Sequence, residues 1–387
     1  MSTPDHVLVV GASAAGLVAS EALRRKGYQG RLTVLGAEPH LPYDRPPLSK
    51  QVLCGNWQPE RARLRQPEML STLDAEFVLG DPAAGLDVAA RTVHTVSGRE
   101  LTADAIILAT GLRPRTLAGQ DGLSGVHVLR TLDDALALRK DLLSCSRVVV
   151  VGDGVLGAEI TATVRGMGLA VTMAGPQPAP LTYQLGTLVA SRLAALHAAN
   201  GVELRLGSGV VGLSEQDGRV AGVLLETGEV LPADVVVVAF GAAPATEWLA
   251  GSGLLCDNGI VCDSRCRAAA GIYAAGDVAR WHHETLDVLL RLENRTNATE
   301  QAVAVAANIL GADQPYVPVP YFWTDQFDAK IHVHGTLPIG ADVSVVEGEP
   351  EAGRFVAQYR HGGVVTGVLG WNMPKQARLR RQELVAA

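Results

Sequence analysis

Two strand–glycine-loop–helix segments and a late change to alternating, aromatic-rich texture predict an α/β chain. The expected architecture is two interleaved Rossmann-like dinucleotide-binding domains followed by a small C-terminal α+β domain. The first segment runs Val7-Leu8-Val9-Val10 into Gly11-Ala12-Ser13-Ala14-Ala15-Gly16, with Glu38 just beyond the next strand. The second runs Val148-Val149-Val150-Val151 into Gly152-Asp153-Gly154-Val155-Leu156-Gly157, about 140 residues later. One such loop is a common tight turn. Two in a 387-residue chain point to two bound dinucleotides and electrons moving between them.

Each element follows from its residues. The first helix is read from Ala14 to Lys26, stopped near Gly27, and the next strand from Arg31 to Leu35. A polar, proline-marked stretch from Pro39 to Pro67 is too long for a simple connection and reads as functional. Ala105 to Ala109 is a buried strand that leaves through Gly111-Leu112-Arg113-Pro114. The second unit repeats the plan: a strand from Arg147, a helix near Val155 to Gly166, a strand Ala170 to Met173, and a closing strand Val235 to Ala239. It leaves through Gly241-Ala242-Ala243-Pro244, and the shared exit marks two crossings between domains. Gly271 to Asp277 is another strand entering a Gly-Asp turn, followed by a helix from about Ala298 to Leu310. After Pro315, Tyr316, Tyr321, Phe322, Trp323 and Phe327 fall within twelve positions. Antiparallel strands are then read at Lys330 to Gly335, Val343 to Glu347, Arg354 to Arg360 and Val364 to Gly370. The domain boundaries expected are 1–112 with 245–313, 113–244, and 314–387.

Composition excludes other classes. At 48% apolar and 19% charged the chain is globular, and a net charge of −7 argues against nucleic acid as a partner. Its longest apolar runs, such as Ala233 to Ala245, are too short for a bilayer, so no membrane partner is expected. Met1 to Gly11 lacks the flank and apolar core of a signal peptide, which places the expected protein in the cytoplasm. Five cysteines (Cys54, Cys145, Cys256, Cys262, Cys266) include no C-x-x-C pair. Cys262 and Cys266, with His282 and His283, have the residue types of a metal site, but they read as ordinary reduced thiols and no metal is expected. His332 and His334 alternate on one face and read as surface residues.

The chemistry of each loop follows from its residue types. A pyrophosphate sits at a helix N-terminus, where backbone N–H groups and the positive dipole end favour its charge. Ser13 stands where a middle glycine is usual and is small enough to keep the site. Glu38 supplies an acceptor for an adenosine ribose diol. The second loop has all three glycines, but no carboxylate occurs between Glu159 and Glu203. Its next strand ends at Ala174-Gly175-Pro176-Gln177, without the acid that selects a 2′-hydroxyl or the arginine that selects a 2′-phosphate. The expectation is a bare strand end and a weak preference between NADH and NADPH. Gly175→Glu is then expected to lower the apparent constant for NADH more than for NADPH.

Together these motifs resemble the two-dinucleotide-domain flavoprotein reductases, specifically the putidaredoxin reductase-like NADH-dependent ferredoxin reductases that feed oxygenases and cytochromes P450. The most specific piece is Leu41-Pro42-Tyr43-Asp44-Arg45-Pro46-Pro47-Leu48-Ser49-Lys50, similar to the family's segment beside the flavin. Ala109-Thr110-Gly111, Leu129 to Asp134, Gly276-Asp277, Asn297-Ala298 with Gln301, and Phe322-Trp323-Thr324-Asp325-Gln326 add to it. The resemblance implies an FAD site formed by Gly11, Ser13, Ala14, Ala15, Gly16, Glu38, Arg45, Lys50, Ala83, Ala109, Thr110, Gly111, Arg130, Gly276, Asp277, Arg295, Thr296, Ala298 and Trp323. It implies an NAD(P) site formed by Gly152, Gly154, Val155, Leu156, Gly157, Glu159 and Gly241. Within these, Lys50 would sit near flavin N5, Trp323 beside the isoalloxazine and Glu159 at the nicotinamide carboxamide, as the catalytic residues. Arg130 would neutralise FAD phosphate charge, and Asp277 would meet the ribityl chain. Two positions depart from the family: Gly175 stands for its strand-end acid, and Val155 for a residue that is commonly aromatic.

What the resemblance implies is hydride transfer from NADH or NADPH to FAD, then single electrons to an iron–sulfur ferredoxin of the 2Fe-2S or 3Fe-4S type. A monomer or weak homodimer is expected. A ferredoxin is normally acidic, so its dock should be basic. Lys375, Arg378, Arg380 and Arg381, or Arg61, Arg63 and Arg65, are the candidates. Two other readings stand beside this one. Gly175 and Val155 suggest an FAD-binding protein with a degraded NAD(P) site and a binding or signalling role. Cys54 suggests a disulfide or peroxide reductase, although the flavin-side segment Asp44 to Ser49 has no cysteine.

Overall fold

The computed structural model describes residues 3–384 and divides into two compact units. The first is built from the N-terminal segment up to Asp44, Ala62–Arg113 and Ala243–Pro318. The second is built from Arg45–Arg61, Pro114–Ala242 and the chain from Val319 onward.

In the first unit a six-stranded sheet has the order Arg267–Ala269, Ile272–Ala274, Ala105–Leu108, His6–Val10, Arg31–Gly36, Glu76–Leu79. All neighbours are parallel except the first pair. Val7, Leu8 and Val9 are wholly buried, as a central parallel strand covered on both faces requires. Chain order reverses on either side of His6–Val10, so its C-terminal end is the switch point where such sheets bind ligands. The helices Ala14–Arg25 and Arg295–Ile309 pack against each other. Ala15, Ala19 and Ala22 on the one, and Ala298, Ala302 and Ala306 on the other, are buried and let the two backbones approach closely.

In the second unit a parallel five-stranded sheet has the order Glu203–Leu206, Ala170–Gly175, Arg147–Val151, Val235–Val238, Val126–His127. The helix Val155–Gly166 follows the glycine loop over the range read from the sequence. The same unit holds an antiparallel five-stranded sheet, ordered Tyr321–Gln326, Ala329–Gly335, Val364–Trp371, Arg354–His361, Asp342–Glu349, with the helix Pro374–Arg380 beside it. Tyr321–Gln326 packs on Val155–Gly166, and so does the short turn Pro46–Ser49. The α/β class with an antiparallel C-terminal part is the one predicted.

Two local expectations are corrected. The helix placed from Ala298 begins at Arg295, because Asn294 caps it by accepting the Asn297 N–H at 2.7 Å. His334 is 7% exposed rather than a surface residue, since the Tyr321 ring of the neighbouring strand stacks on it at 4.8 Å.

Candidate functional site

The two glycine loops meet the same steric demand. Gly11 has φ +125°, and a Cβ there would fall 2.2 Å from the Ala109 carbonyl oxygen. Gly152 has φ +136°, and its Cβ would fall 2.3 Å from the Ala239 carbonyl oxygen. At the far end of each loop, a Cβ on Gly16 would meet the Gly11 oxygen at 1.8 Å, and one on Gly157 the Gly152 oxygen at 2.0 Å. Only glycine satisfies these four positions. The middle positions, Ser13 and Gly154, are the helix N-caps; neither forms a side-chain cap bond, and neither helix has an acid in its first turn. The first N–H groups therefore face outward at the positive end of each helix, as an anionic pyrophosphate requires.

Within the first unit, three of the sequence-predicted residues meet beside the first loop, whereas Arg45, Lys50, Arg130 and Trp323 belong to the second unit. A Cβ on Gly276 (φ +78°) would lie 3.1 Å from the Ala15 Cβ and 3.6 Å from the Ala298 Cβ, so these three small residues make one close approach. The Gly276 N–H donates to Gln301 Oε1 at 2.8 Å, and Gln301 is fully buried. Glu38, beyond the end of Arg31–Gly36, accepts from the Tyr43 hydroxyl. Arg295 Nε donates to Asp44 Oδ1 at 2.6 Å, and Thr110 Oγ1 to the Ala245 carbonyl at 2.9 Å. Ala14, Gly111 and Thr296 are half-buried, and Arg291 Nη1 donates to the Asp277 carbonyl at 3.3 Å. Ala83 belongs to a separate antiparallel sheet, opposite Thr95.

The second unit gathers Lys50, Glu159 and the strand that carries Trp323. Lys50 Nζ lies 2.5 Å from Glu159 Oε2, with the two side chains 15% and 8% exposed. Ser49 Oγ donates to the same oxygen at 2.9 Å, and Thr324 Oγ1 to Oε1 at 3.0 Å. One turn further along the helix, Thr163 Oγ1 donates to the Ser49 carbonyl at 2.7 Å and fixes the Pro46–Ser49 turn. Behind Thr324, Gln326 Nε2 donates to its hydroxyl at 3.2 Å, and Gln326 Oε1 lies 2.8 Å from His197 Nε2. Burial lowers the His197 pKa, partly offset by the Gln326 bond. Trp323 is half-buried, its ring stacked with Tyr321 at 6.0 Å and 24°. Arg45 Nη1 donates to the Arg130 carbonyl, and the Arg130 N–H donates to Asp134 Oδ2 at 2.9 Å. Val155 is half-buried, Leu156 is exposed, and Gly241 has φ +115°.

The bare strand end expected after Met173 is corrected. Asp153, inside the glycine loop, turns its carboxylate onto Gly175 and is 5% exposed. A Cβ on Gly175 would lie 2.4 Å from Asp153 Oδ2, so an acid at position 175 collides with one already there. Sequence reading missed Asp153 because the carboxylate comes from the loop rather than the strand. Ser49 and Thr324 join the site although neither is among the residues expected there. Their bonds to Glu159 span 110 and 165 residues of chain, so no local pattern marks them.

The thiols are unpaired: Cys54, Cys145, Cys256, Cys262 and Cys266 are all free. Burial pushes Cys266 up to about 12 and raises Cys262 well above the ordinary thiol range. Cys54 Sγ contacts the Gln51 carbonyl at 3.6 Å. Among the described residues, no three or more His, Cys, Asp or Glu side chains gather as a metal site, and no helix is long and apolar enough to cross a membrane. Of the basic candidates, Lys375, Arg378 and Arg381 are exposed, whereas Arg380 pairs with Glu347 and Glu383. Arg61 lies 4.5 Å over the Trp57 ring, Arg65 Nε pairs with Glu21 at 2.6 Å, and Arg63 is half-buried.

Residues 5–302 match the family described as pyridine nucleotide-disulphide oxidoreductase, and 321–387 match the reductase C-terminal family. Rhodocoxin reductase from Rhodococcus erythropolis is 36% identical over 380 residues, 98% of this chain and 89% of that protein. The crystal structure of the ferredoxin reductase for the CYP199A2 system of Rhodopseudomonas palustris is similar at TM-score 0.91 and 33% identity, covering 95% of this chain and 91% of that one. The reductase in the covalent putidaredoxin reductase–putidaredoxin complex is similar at TM-score 0.93 and 32% identity, covering 99% and 93%. The chain therefore belongs to the pyridine nucleotide-disulphide oxidoreductase family, with a reductase C-terminal domain.

Proposed function

We propose that the protein is an FAD-dependent NAD(P)H:ferredoxin reductase, which delivers single electrons to a ferredoxin that serves an oxygenase or a cytochrome P450. The observation that carries this reading is the pair of sterically equivalent glycine loops, each opening a helix that has no acid in its first turn. The named relatives are reductases of ferredoxin-type electron-transfer systems. The absence of a C-x-x-C pair in the sequence fits electrons leaving from the flavin without a protein disulfide.

The residues of the first unit fit an FAD. The small residues Ala15, Gly276 and Ala298 let the backbone pack closely beside the loop, and the Ala14–Arg25 helix end favours the phosphates. Glu38 is an acceptor for the adenosine ribose, with Tyr43 holding the carboxylate. Bound FAD supplies the chemistry that side chains cannot, taking a hydride from the nicotinamide and releasing electrons one at a time.

The side chains bind, orient and hold charge. Lys50 is the fixed positive charge we assign beside the flavin, and Glu159 positions it. A carboxylate has about four acceptor positions, and Lys50, Ser49 and Thr324 take three, which leaves one for a nicotinamide carboxamide N–H. Thr163, bonded to the Ser49 carbonyl, keeps this turn in register. We assign the exposed Lys375, Arg378 and Arg381 to the docking of an acidic iron–sulfur ferredoxin. The unpaired thiols fit a reducing compartment, and we place the protein in the cytoplasm.

Turnover with NADH and a purified 2Fe-2S ferredoxin, followed by the ferredoxin's visible absorbance, tests the reading. Catalytic bleaching of the ferredoxin is the expected result. A flavin that is reduced but passes nothing to any 2Fe-2S or 3Fe-4S ferredoxin would remove the assignment of partner.

A further inference from the structure

We propose that Asp153 is the ribose-selecting carboxylate of the second dinucleotide site, moved from the strand end into the glycine loop, and that it gives this enzyme a preference for NADH over NADPH. The inference rests on the reading that the Gly152–Gly157 loop binds the electron donor.

The argument begins with the volume beside Gly175. In a dinucleotide fold, the acid that accepts the adenosine 2′-hydroxyl stands at the end of the second strand, close to the glycine loop. Here that strand, Ala170–Gly175, ends without a side chain. The space is filled all the same: a Cβ on Gly175 would meet Asp153 Oδ2 at 2.4 Å, Cγ at 2.5 Å and Cβ at 2.9 Å. The two positions therefore form an exchange. A loop aspartate needs glycine at the strand end, and a strand-end acid needs a small residue in the loop.

The carboxylate is held in place. Gln177 donates its backbone N–H to Asp153 Oδ2 at 2.7 Å and its side-chain Nε2 to Oδ1 at 2.7 Å. The Gln177 carboxamide is itself fixed, since its Oε1 accepts the Tyr183 N–H at 2.8 Å. Two of about four acceptor positions on Asp153 are thus taken, and the others remain for ribose hydroxyls. The Ser208 hydroxyl is buried and has no partner, and its backbone N–H donates to the Gly175 carbonyl at 3.3 Å. An unpartnered polar group therefore stands at the same strand end.

Charge decides which nucleotide fits. No Lys, Arg, Asp or Glu occurs from Gly175 through Ser191. Arg205, beside Ala174 in the neighbouring strand, pairs with Glu203 at 2.5 Å and Glu229 at 3.3 Å. A 2′-phosphate would meet a fixed negative charge in a partly desolvated site, with the Arg205 guanidinium already paired to Glu203 and Glu229. A 2′-hydroxyl would meet an acceptor.

Calorimetric titration of the FAD-loaded protein with ADP-ribose and with its 2′-phosphorylated form tests this without turnover. The wild type is expected to bind ADP-ribose at least tenfold more tightly. Asp153→Asn, which keeps the shape and the Gln177 bond to Oδ1, should shrink that ratio to threefold or less, and Asp153→Ser should do the same. Gly175→Glu alone should weaken binding of both ligands, whereas Asp153→Gly with Gly175→Glu should restore the ratio. Equal binding of the two ligands by the wild type, or an unchanged ratio in Asp153→Asn, would overturn the inference while leaving the donor site standing. If neither ligand binds at millimolar concentration, the donor-site reading fails, and the inference with it.

Discussion

Lys50 Nζ and Glu159 Oε2, 109 residues apart in the chain, lie 2.5 Å from each other and are largely shielded from water. Removing either partner leaves a shielded charge without its answer, which typically costs about 3–5 kcal/mol. Glu159→Gln is therefore expected to lower the stability of the folded protein by a few kcal/mol, near the lower end of that range because the carboxamide oxygen still accepts from one of the Ser49 and Thr324 hydroxyls and its N–H can donate to the other. Urea unfolding at fixed FAD concentration measures it. Lys50→Met should slow flavin reduction on the order of 10²-fold with little change in nucleotide affinity, the signature of a charge that acts on the reacting atoms.

The glycine loops predict separable losses. Gly11→Ala places a Cβ 2.2 Å from the Ala109 oxygen, and Gly152→Ala one 2.3 Å from the Ala239 oxygen. The first variant should purify with little flavin. The second should keep its flavin absorbance and lose reduction by NADH. Visible spectra of the two purified proteins, before and after NADH, check both.

His334 predicts a pH effect. Burial, then Arg381, His332 and Arg378, lower its pKa from 6.5 to about 4. The unfolded chain therefore binds a proton between pH 6.5 and 4 that the folded chain does not. By linkage, this group's contribution to stability is full above pH 6.5 and falls as pH drops towards 4. His334→Gln should make the loss of unfolding midpoint between pH 7 and pH 5 smaller than in the wild type. Urea titrations at the two pH values read the difference.

The C-terminal cations predict a salt effect. Lys375, Arg378 and Arg381 are exposed, and charge complementarity mainly sets the rate of encounter. Arg378→Glu with Arg381→Glu should lower kcat/KM for ferredoxin on the order of tenfold at low ionic strength and weaken its salt dependence, with flavin reduction by NADH unchanged. Steady-state assays at two salt concentrations, with ferredoxin varied, measure it.

Much of this fold is written locally. The apolar run Val148–Val151, a glycine loop and an uninterrupted helical pattern place Val155–Gly166 to the residue, because each signal lies within a few positions. The N-cap Asn294 is equally local, yet the three polar residues after it hide the start of the helix at Arg295. Alternation along Ala329–Gly335 shows that His332 and His334 share a face but not that the Tyr321 ring covers it, since that depends on the pairing of this strand with Tyr321–Gln326. The site divides in the same way. The positions of the glycines and of Glu38 are legible because backbone geometry and strand ends fix where they stand. Asp153 is not legible, because its role depends on a missing side chain 22 positions later, at Gly175.

Anaerobic rapid mixing of the oxidised holoprotein with NADH, and separately with NADPH, tests the central claim that the second loop brings a nicotinamide donor to the bound FAD. The account predicts that flavin absorbance is lost within the turnover time at sub-millimolar NADH, and more slowly with NADPH. Flavin that stays oxidised with both nucleotides at millimolar concentration would contradict it.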